Sequence, residues 1–211
     1  MPGRGGSWDA CEAVMLGSSR DSRRKHVMTV MPSRRREVTR EIAIEPLAHR
    51  HAASLFDAVD ASRCTLREWL PWVDATRTVD DSRAFIDSAM QEWQAGTAMH
   101  FAILWRGELA GACGFNRIVA SRRMAALGYW LSHDVTGHGI ITACARELLT
   151  LGFDELGLHR VELHCGEHNL RSRAVAERLG FTEEGHLREC EWIGERPVTH
   201  VVYGMLAHEA R

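Results

Sequence analysis

The run Thr136-Gly137-His138-Gly139-Ile140-Ile141-Thr142 has the makings of an anion site. It follows the strand-like Tyr129-Trp130-Leu131-Ser132 and opens an amphipathic segment. Glycine lets a backbone approach a ligand closely and take left-handed angles. The helix start beyond it offers unpaired N–H groups and the positive end of a dipole. Phosphate oxygens bind such places. Taken alone the signal is also that of a plain turn. It lacks the third glycine of a dinucleotide fingerprint and the Gly-Lys-Ser/Thr of a P-loop. Further on, Asn169 opens another helix with Ser172 in its first turn. Either residue could simply bond local backbone there. Facing a phosphate-binding turn, the same polar groups could hold a long cofactor arm. Glu191, at the end of a strand-like run, reads on its own as a solvated carboxylate.

The elements that must carry these groups can be read from periodicity. Glu41–Glu45 alternates as a strand, and Pro46 ends it. Helices are expected over 49–60 and 62–70, the second stopping before Pro71. Thr78-Val79-Asp80-Asp81 has N-cap spacing for a helix to Ala95, which Gly96 closes. Strands 99–105 and 108–115 flank Arg106-Gly107, a hairpin turn. A third strand covers 125–131. A helix over 140–155, a strand over 160–165, a helix over 169–179 and strands over 181–191 and 200–206 complete the pattern. The segments 70–80 and 192–200 are read as loops. This order implies one α/β domain, a mixed and mostly antiparallel sheet with helices on both faces.

Composition bounds the rest. The chain has 211 residues, enough for one domain and a tail, and a hydrophobic share of 45% fits a real core. The net charge of −2 offers nucleic acid no overall basic field. Six cysteines lie scattered without a Cys-x-x-Cys pair, which reads as reduced thiols, and no metal is expected. No apolar run of about 18 residues suggests a membrane span. No signal core is evident at the N-terminus, so a cytoplasmic location is expected. Residues 1–36 are rich in Gly, Ser and Arg and show no periodicity, so a disordered extension is expected ahead of a domain over 37–211. Its basic clusters, Arg23-Arg24-Lys25 and Arg34-Arg35-Arg36, could serve as an arm for RNA or the ribosome. A plain tail, or translation from upstream of a true start at Met28 or Met31, is the favoured reading.

Several motifs together give a resemblance. Tyr129-Trp130-Leu131-Ser132, the Gly137-His138-Gly139-Ile140 turn and the run from Asn169 to Phe181 resemble the GNAT acetyltransferases. The branch is that of the ribosomal-protein-serine acetyltransferases (RimJ/RimL type), and Leu66-Arg67-Glu68-Trp69-Leu70-Pro71-Trp72 agrees with it. The resemblance covers residues 40–206. It implies an acetyl-CoA-dependent N-acetyltransferase with the pyrophosphate on the amides from Gly137 to Thr142. Leu131 and Ser132 would run along the pantetheine arm, with Asn169 further along it. By the same resemblance Ser172 lies near the thioester sulfur and Glu191 is the general base. Trp69, Trp72 and Tyr129 become candidates for the acceptor pocket, against the plainer reading of aromatic core. A homodimer is also implied.

Two departures stand out. The superfamily pattern Gln/Arg-x-x-Gly-x-Gly/Ala has Thr136 in first place and Ile141 in last. The branch's Tyr-His-Asp is replaced by Pro197-Val198-Thr199. The implied chemistry is attack of an amine on a thioester, with backbone N–H groups near Leu131 for the oxyanion, Ser172 for the departing sulfur and Glu191 for the proton. An α-amine of pKa ~8 costs about 1.4 kcal/mol to deprotonate at pH 7, a lysine about 4.6. One glutamate therefore suits a protein N-terminus. A small-molecule amine such as an aminoacyl compound or an antibiotic is the second reading, and a non-catalytic acyl-CoA-binding module the third.

Overall fold

A computed structural model describes residues 35–210. Eight strands form one sheet in the order β1-β2-β3-β4-β5-β6-β8-β7. They are β1 (Arg36–Glu37), β2 (Ile42–Pro46), β3 (Met99–Trp105), β4 (Glu108–Val119), β5 (Met124–Leu131), β6 (Arg160–Gly166), β7 (Thr182–Ile193) and β8 (Arg196–Leu206). Every neighbouring pair is antiparallel except β5 with β6. The helices are α1 (Ala52–Ala61), α2 (Arg63–Leu66), α3 (Val79–Ala95), α4 (Ile140–Thr150) and α5 (Leu170–Leu179). The mixed α/β fold is the one that the order of elements implies.

Local chemistry sets the boundaries. Thr78 Oγ1 accepts from Asp81 N–H while the Asp81 carboxylate accepts from Thr78 N–H, a reciprocal cap on α3. Gly96 ends that helix at φ 69°. Arg106 and Gly107 both have positive φ, 54° and 90°. That gives the two-residue turn whose twist suits a hairpin.

Alternation along the strands feeds two cores. Phe101, Ile103, Phe115, Leu127, Leu163 and Val201 point to the side covered by α4. Ala102, Ala112 and Trp130 point to the other side, against α1 and α3. Among the described residues, no helix is long and apolar enough to cross a membrane.

Three segments differ from the sequence reading. The helix expected over 140–155 is α-helical only to Thr150, and Leu151–Glu155 continues as one wider π turn. Gly152 lies there with Phe115 only 2.9 Å from where a Cβ would be, so the chain closes directly on the core. The segment 192–200 is no loop: β7 and β8 run on to a tight turn between the paired Ile193 and Arg196. Gly194 and Pro197 look like strand breakers, yet Gly194 makes the turn at φ 61°. Pro197 pairs with Trp192 of β7, beyond the last rung between β6 and β8. A missing N–H costs least there. Third, Arg36, grouped with the tail on sequence grounds, belongs to β1. Its guanidinium meets Glu147 at 2.7 Å and Glu155 at 2.5 Å. The clusters at residues 23–25 and at Arg34 lie outside the described residues.

Where no helix covers β6, its polar alternates form a charge cluster. Glu162 accepts from Arg160 at 3.0 Å, lies 3.2 Å from His164, and Arg160 also pairs with Glu184. The His164 contact, opposed by burial and aided by Arg160, holds the Glu162 carboxyl down at about 2. A lowered carboxyl stabilises the fold above its ordinary value of 4.5, and the effect is lost as pH falls towards 2. Glu162→Gln is therefore expected to cost about 1 kcal/mol at pH 7, after discounting for the water that reaches the cluster. Calorimetric Tm values should converge with wild type as pH falls from 4.5 to about 2. A gap that stays constant with pH would mean that the charge of Glu162 contributes nothing.

Candidate active site

The site begins where the sheet comes apart. β5 and β6 pair only from Met124↔Arg160 to Leu127↔Leu163. Beyond that rung, β5 continues to Leu131 paired only with β4, and β6 continues to Gly166 paired only with β8. The edges of Gly128–Leu131 and His164–Gly166 thus have no strand partner on the side where they part. Backbone N–H and C=O groups in such a slot call for a partner. An extended arm with amide groups can supply one, as an added strand would.

At the open end of β5 stands the glycine turn. Ser132 N–H bonds Ala110 O at 2.7 Å, and Thr136 Oγ1 donates to His133 O at 3.0 Å. Gly137 and Gly139 have φ 86° and 72°, and a Cβ on either would meet nothing within 4 Å. The strained angle, not crowding, is what demands glycine here. Gly139 caps α4 with no side chain bonded to the cap. The first backbone bond of the helix is Ala143 N–H to Gly139 O, 3.0 Å. The amides of Ile140, Ile141 and Thr142 precede it and have no partner within the helix. The His138 ring stacks on Trp105, centroids 5.1 Å apart, and pins the turn to the β3–β4 hairpin. Free amides at a helix start after a glycine turn are an arrangement to which anions bind.

A cation near the turn comes from a place the sequence did not reveal. Thr136 carries no charge, but Arg178, at the end of α5, reaches α4 with Nη2 3.4 Å from Thr142 Oγ1. In sequence Arg178 reads only as a helix-terminal cation complementing the dipole. Its nearness to the turn depends on how α5 packs against α4.

Across the slot, Asn169 caps α5, its Oδ1 accepting from Ser172 N–H at 3.1 Å. The capping alternative accounts for that oxygen. Ser172 Oγ lies 2.9 Å from the Tyr129 hydroxyl. Burial pushes the Tyr129 phenol well above its ordinary range, so it keeps its proton. The Cys165 thiol, which hydrogen-bonds with Ser172, is pushed up by burial to about 11 and is neutral. Two hydroxyls and a thiol thus meet beside the slot on the side of α4 and α5.

The other face holds the remaining candidates. The Trp69 ring and Val198 both lie 3.4 Å from where a Cβ on Gly166 would be. Arg196 Nη2 donates to Glu68 O and ties the hairpin tip to this segment. Glu191 pairs with Val198 and is half-buried, its carboxylate 3.0 Å from His200 Nε2. Trp69, Glu191 and His200 therefore gather on one face around Gly166. Trp72 does not join them. It packs on buried Trp130, centroids 6.0 Å apart, within the core under α1 and α3. Tyr129 sits on the opposite face from Trp69, since successive residues of β5 alternate. Among the described residues, no group of three or more His, Cys, Asp or Glu could hold a metal.

Comparison with known proteins agrees with this architecture. The acetyltransferase (GNAT) domain family matches residues 41–182. The chain is 30% identical over 177 residues to the "Putative ribosomal N-acetyltransferase YdaF" of Bacillus subtilis (strain 168), covering 82% of this chain and 95% of that protein. It is 28% identical over 159 residues to the ribosomal-protein-serine acetyltransferase of Escherichia coli (strain K12), covering 75% and 89%. Among solved structures, the microcin C7 self-immunity acetyltransferase MccE in complex with acetyl-CoA and AMP superposes with a TM-score of 0.78 at 27% identity, covering 83% of this chain and 97% of that one. The chain belongs to the GNAT acetyltransferase family. It is an N-acetyltransferase whose acetyl donor is acetyl-CoA.

The two tryptophans should respond differently to truncation. Trp72→Ala removes a core ring and is expected to cost about 3 kcal/mol or more, read from urea unfolding midpoints. Trp69→Ala should cost less than half as much. Equal losses would show that both rings are structural.

Proposed function

We propose that the chain acetylates the N-terminal α-amino group of a protein, of the ribosomal-protein-serine kind. The observation that carries this reading is the slot between β5 and β6, with an anion site at its open end and Glu191 and Trp69 across the sheet. The phosphates of acetyl-CoA rest on the amides from Gly137 to Thr142, with Arg178 in place of the arginine that Thr136 does not supply. The arm follows the free edge up to Leu131 and Ser132, and Asn169 lies beside it. Ser172, bonded to the proton-bearing Tyr129, donates to the departing sulfur. Backbone N–H groups of β5 stabilise the oxyanion. The Glu191 carboxylate serves proton removal from the amine, and Trp69 borders the acceptor. The names of the two sequence relatives support a ribosomal acceptor. A cytoplasmic location and a homodimer go with this reading.

A small amine is the second reading, supported by the AMP bound to MccE in the solved complex. The face around Trp69 could receive an aminoacyl group as well as a peptide end.

Calorimetric titration of acetyl-CoA tests the donor site. Wild type should bind one equivalent, and Arg178→Gln should weaken binding about 10-fold, with the gap narrowing at high salt. Unchanged affinity would remove Arg178 from the site. Acetyl transfer is then compared among a peptide with N-terminal serine, an N-blocked lysine peptide and an aminoacyl adenylate analogue. Preference for the serine peptide supports the proposal. Preference for the adenylate analogue would replace it with the second reading.

A further inference from the structure

We propose that His200 is the side chain that takes the proton from the acceptor amine, and that Glu191 orients it. This rests on the acetyltransferase site described above but not on which amine is the acceptor. Glu191 Oε2 and His200 Nε2 are 3.0 Å apart, and only 17% and 18% of their side chains are exposed. A carboxylate accepts hydrogen bonds, so the neutral imidazole presents Nε2–H to it and leaves its lone pair on Nδ1. Among the described residues no hydrogen-bond partner meets Nδ1. This is the arrangement in which a carboxylate fixes the tautomer of a histidine and stabilises the imidazolium that forms.

The fold builds the pair deliberately. His200 is opposite Gly166 of β6 on one side and Leu187 of β7 on the other. Glu191 is opposite Val198, the next residue on the same face of β8. Between these rungs β7 has three residues where β8 has one, with Glu189 at φ 49° and its N–H on Thr199 Oγ1 at 3.2 Å. Such bulges re-aim side chains, often beside active sites. Here the bulge carries Glu191 to His200. Gly166, having no side chain, lets the Trp69 ring approach the strand next to His200. Imidazole is the side chain whose ordinary titration best matches work at neutral pH, as a general base requires. The other charged or titratable groups on the elements around the pair are Arg160, Glu162 and His164 of β6, Glu167 after it, Glu183, Glu184, His186, Arg188 and Glu189 of β7, Arg196 of β8, and Arg67 and Glu68 beside Trp69.

The step balances. The ammonium acceptor gives one proton to Nδ1, which passes it to solvent. The freed lone pair attacks the thioester carbon. As the C–N bond forms and the C–S bond breaks, the surplus proton on nitrogen passes to His200 Nδ1 and on to solvent. The thiolate takes a proton from the Ser172 hydroxyl, which regains one from solvent with Tyr129 as its hydrogen-bond partner. The products are an amide and a thiol, with no change of oxidation state.

The test follows release of the CoA thiol with whichever amine the wild type accepts, across pH 5.5 to about 9. His200→Ala should lower kcat at least about 100-fold and lose the acid limb of kcat. Acetyl-CoA affinity by calorimetry should stay within about 2-fold of wild type, which shows that the fold and donor site survive. Added imidazole should restore activity to His200→Ala and not to Glu191→Ala. Glu191→Gln should keep an acid limb, displaced in pH. If His200→Ala keeps most of its activity, the proposal falls and Glu191 acts alone. If His200→Ala is inactive, ignores imidazole and retains the wild-type acid limb on its residual rate, His200 is structural and the proposal is likewise overturned. Wild type that binds acetyl-CoA yet acetylates no amine would overturn both this proposal and the acceptor reading.

Discussion

Everything at the site depends on two strands that run parallel and then part. β5 and β6 share four rungs, Met124↔Arg160 to Leu127↔Leu163. Beyond those rungs β5 is paired only with β4, and β6 only with β8. An open sheet interior is costly, because backbone groups held away from water want hydrogen bonds. Here the cost is confined to a few residues on each strand, and those are the residues nearest to the glycine turn, Ser172 and Gly166. In the proposed function the donor enters from the α4 and α5 side, the acceptor from the other, and the sheet is the partition between them.

Two helix beginnings complete that geometry in opposite ways. α4 starts at a glycine with no capping side chain, which leaves its first amides to an anion. α5 starts at Asn169, whose side chain satisfies the Ser172 amide. A capped helix cannot offer that amide to a ligand, which leaves Ser172 only its hydroxyl to offer. The hydroxyl is held by a tyrosine that burial keeps protonated.

Most of the fold was legible because its signals are local. The Thr78–Asp81 cap, the Arg106-Gly107 turn and the glycines that close α3 and α5 each act within a few residues. The glycine turn that opens α4 was legible for the same reason. Groups set by tertiary register were not. Arg178 meets Thr142 only through the packing of α5 on α4. His200 meets Glu191 only because a bulge adds two residues to β7, and nothing in the local sequence announces a bulge of that size. Gly194 and Pro197 hid a hairpin behind loop-like composition. The aromatic residues show the same limit. Alternation along β5 separates Tyr129 from Trp130, but no spacing rule says which of Trp69 and Trp72 reaches the core.

The bulge in β7 has a second effect, on how this molecule meets its neighbours in solution. β7 is a sheet edge of 12 residues, a length that would ordinarily template growth of the sheet by another chain. The bulge breaks its run of regular rungs at Arg188–Cys190, and Glu183, Glu184 and Glu189 load it with charge. The opposite edge, β1, is only two residues long and fastened to α4 by Arg36. Neither border is a template for amyloid-like stacking. The regular, uncharged run that growth of the sheet from edge to edge needs is thus short at both borders.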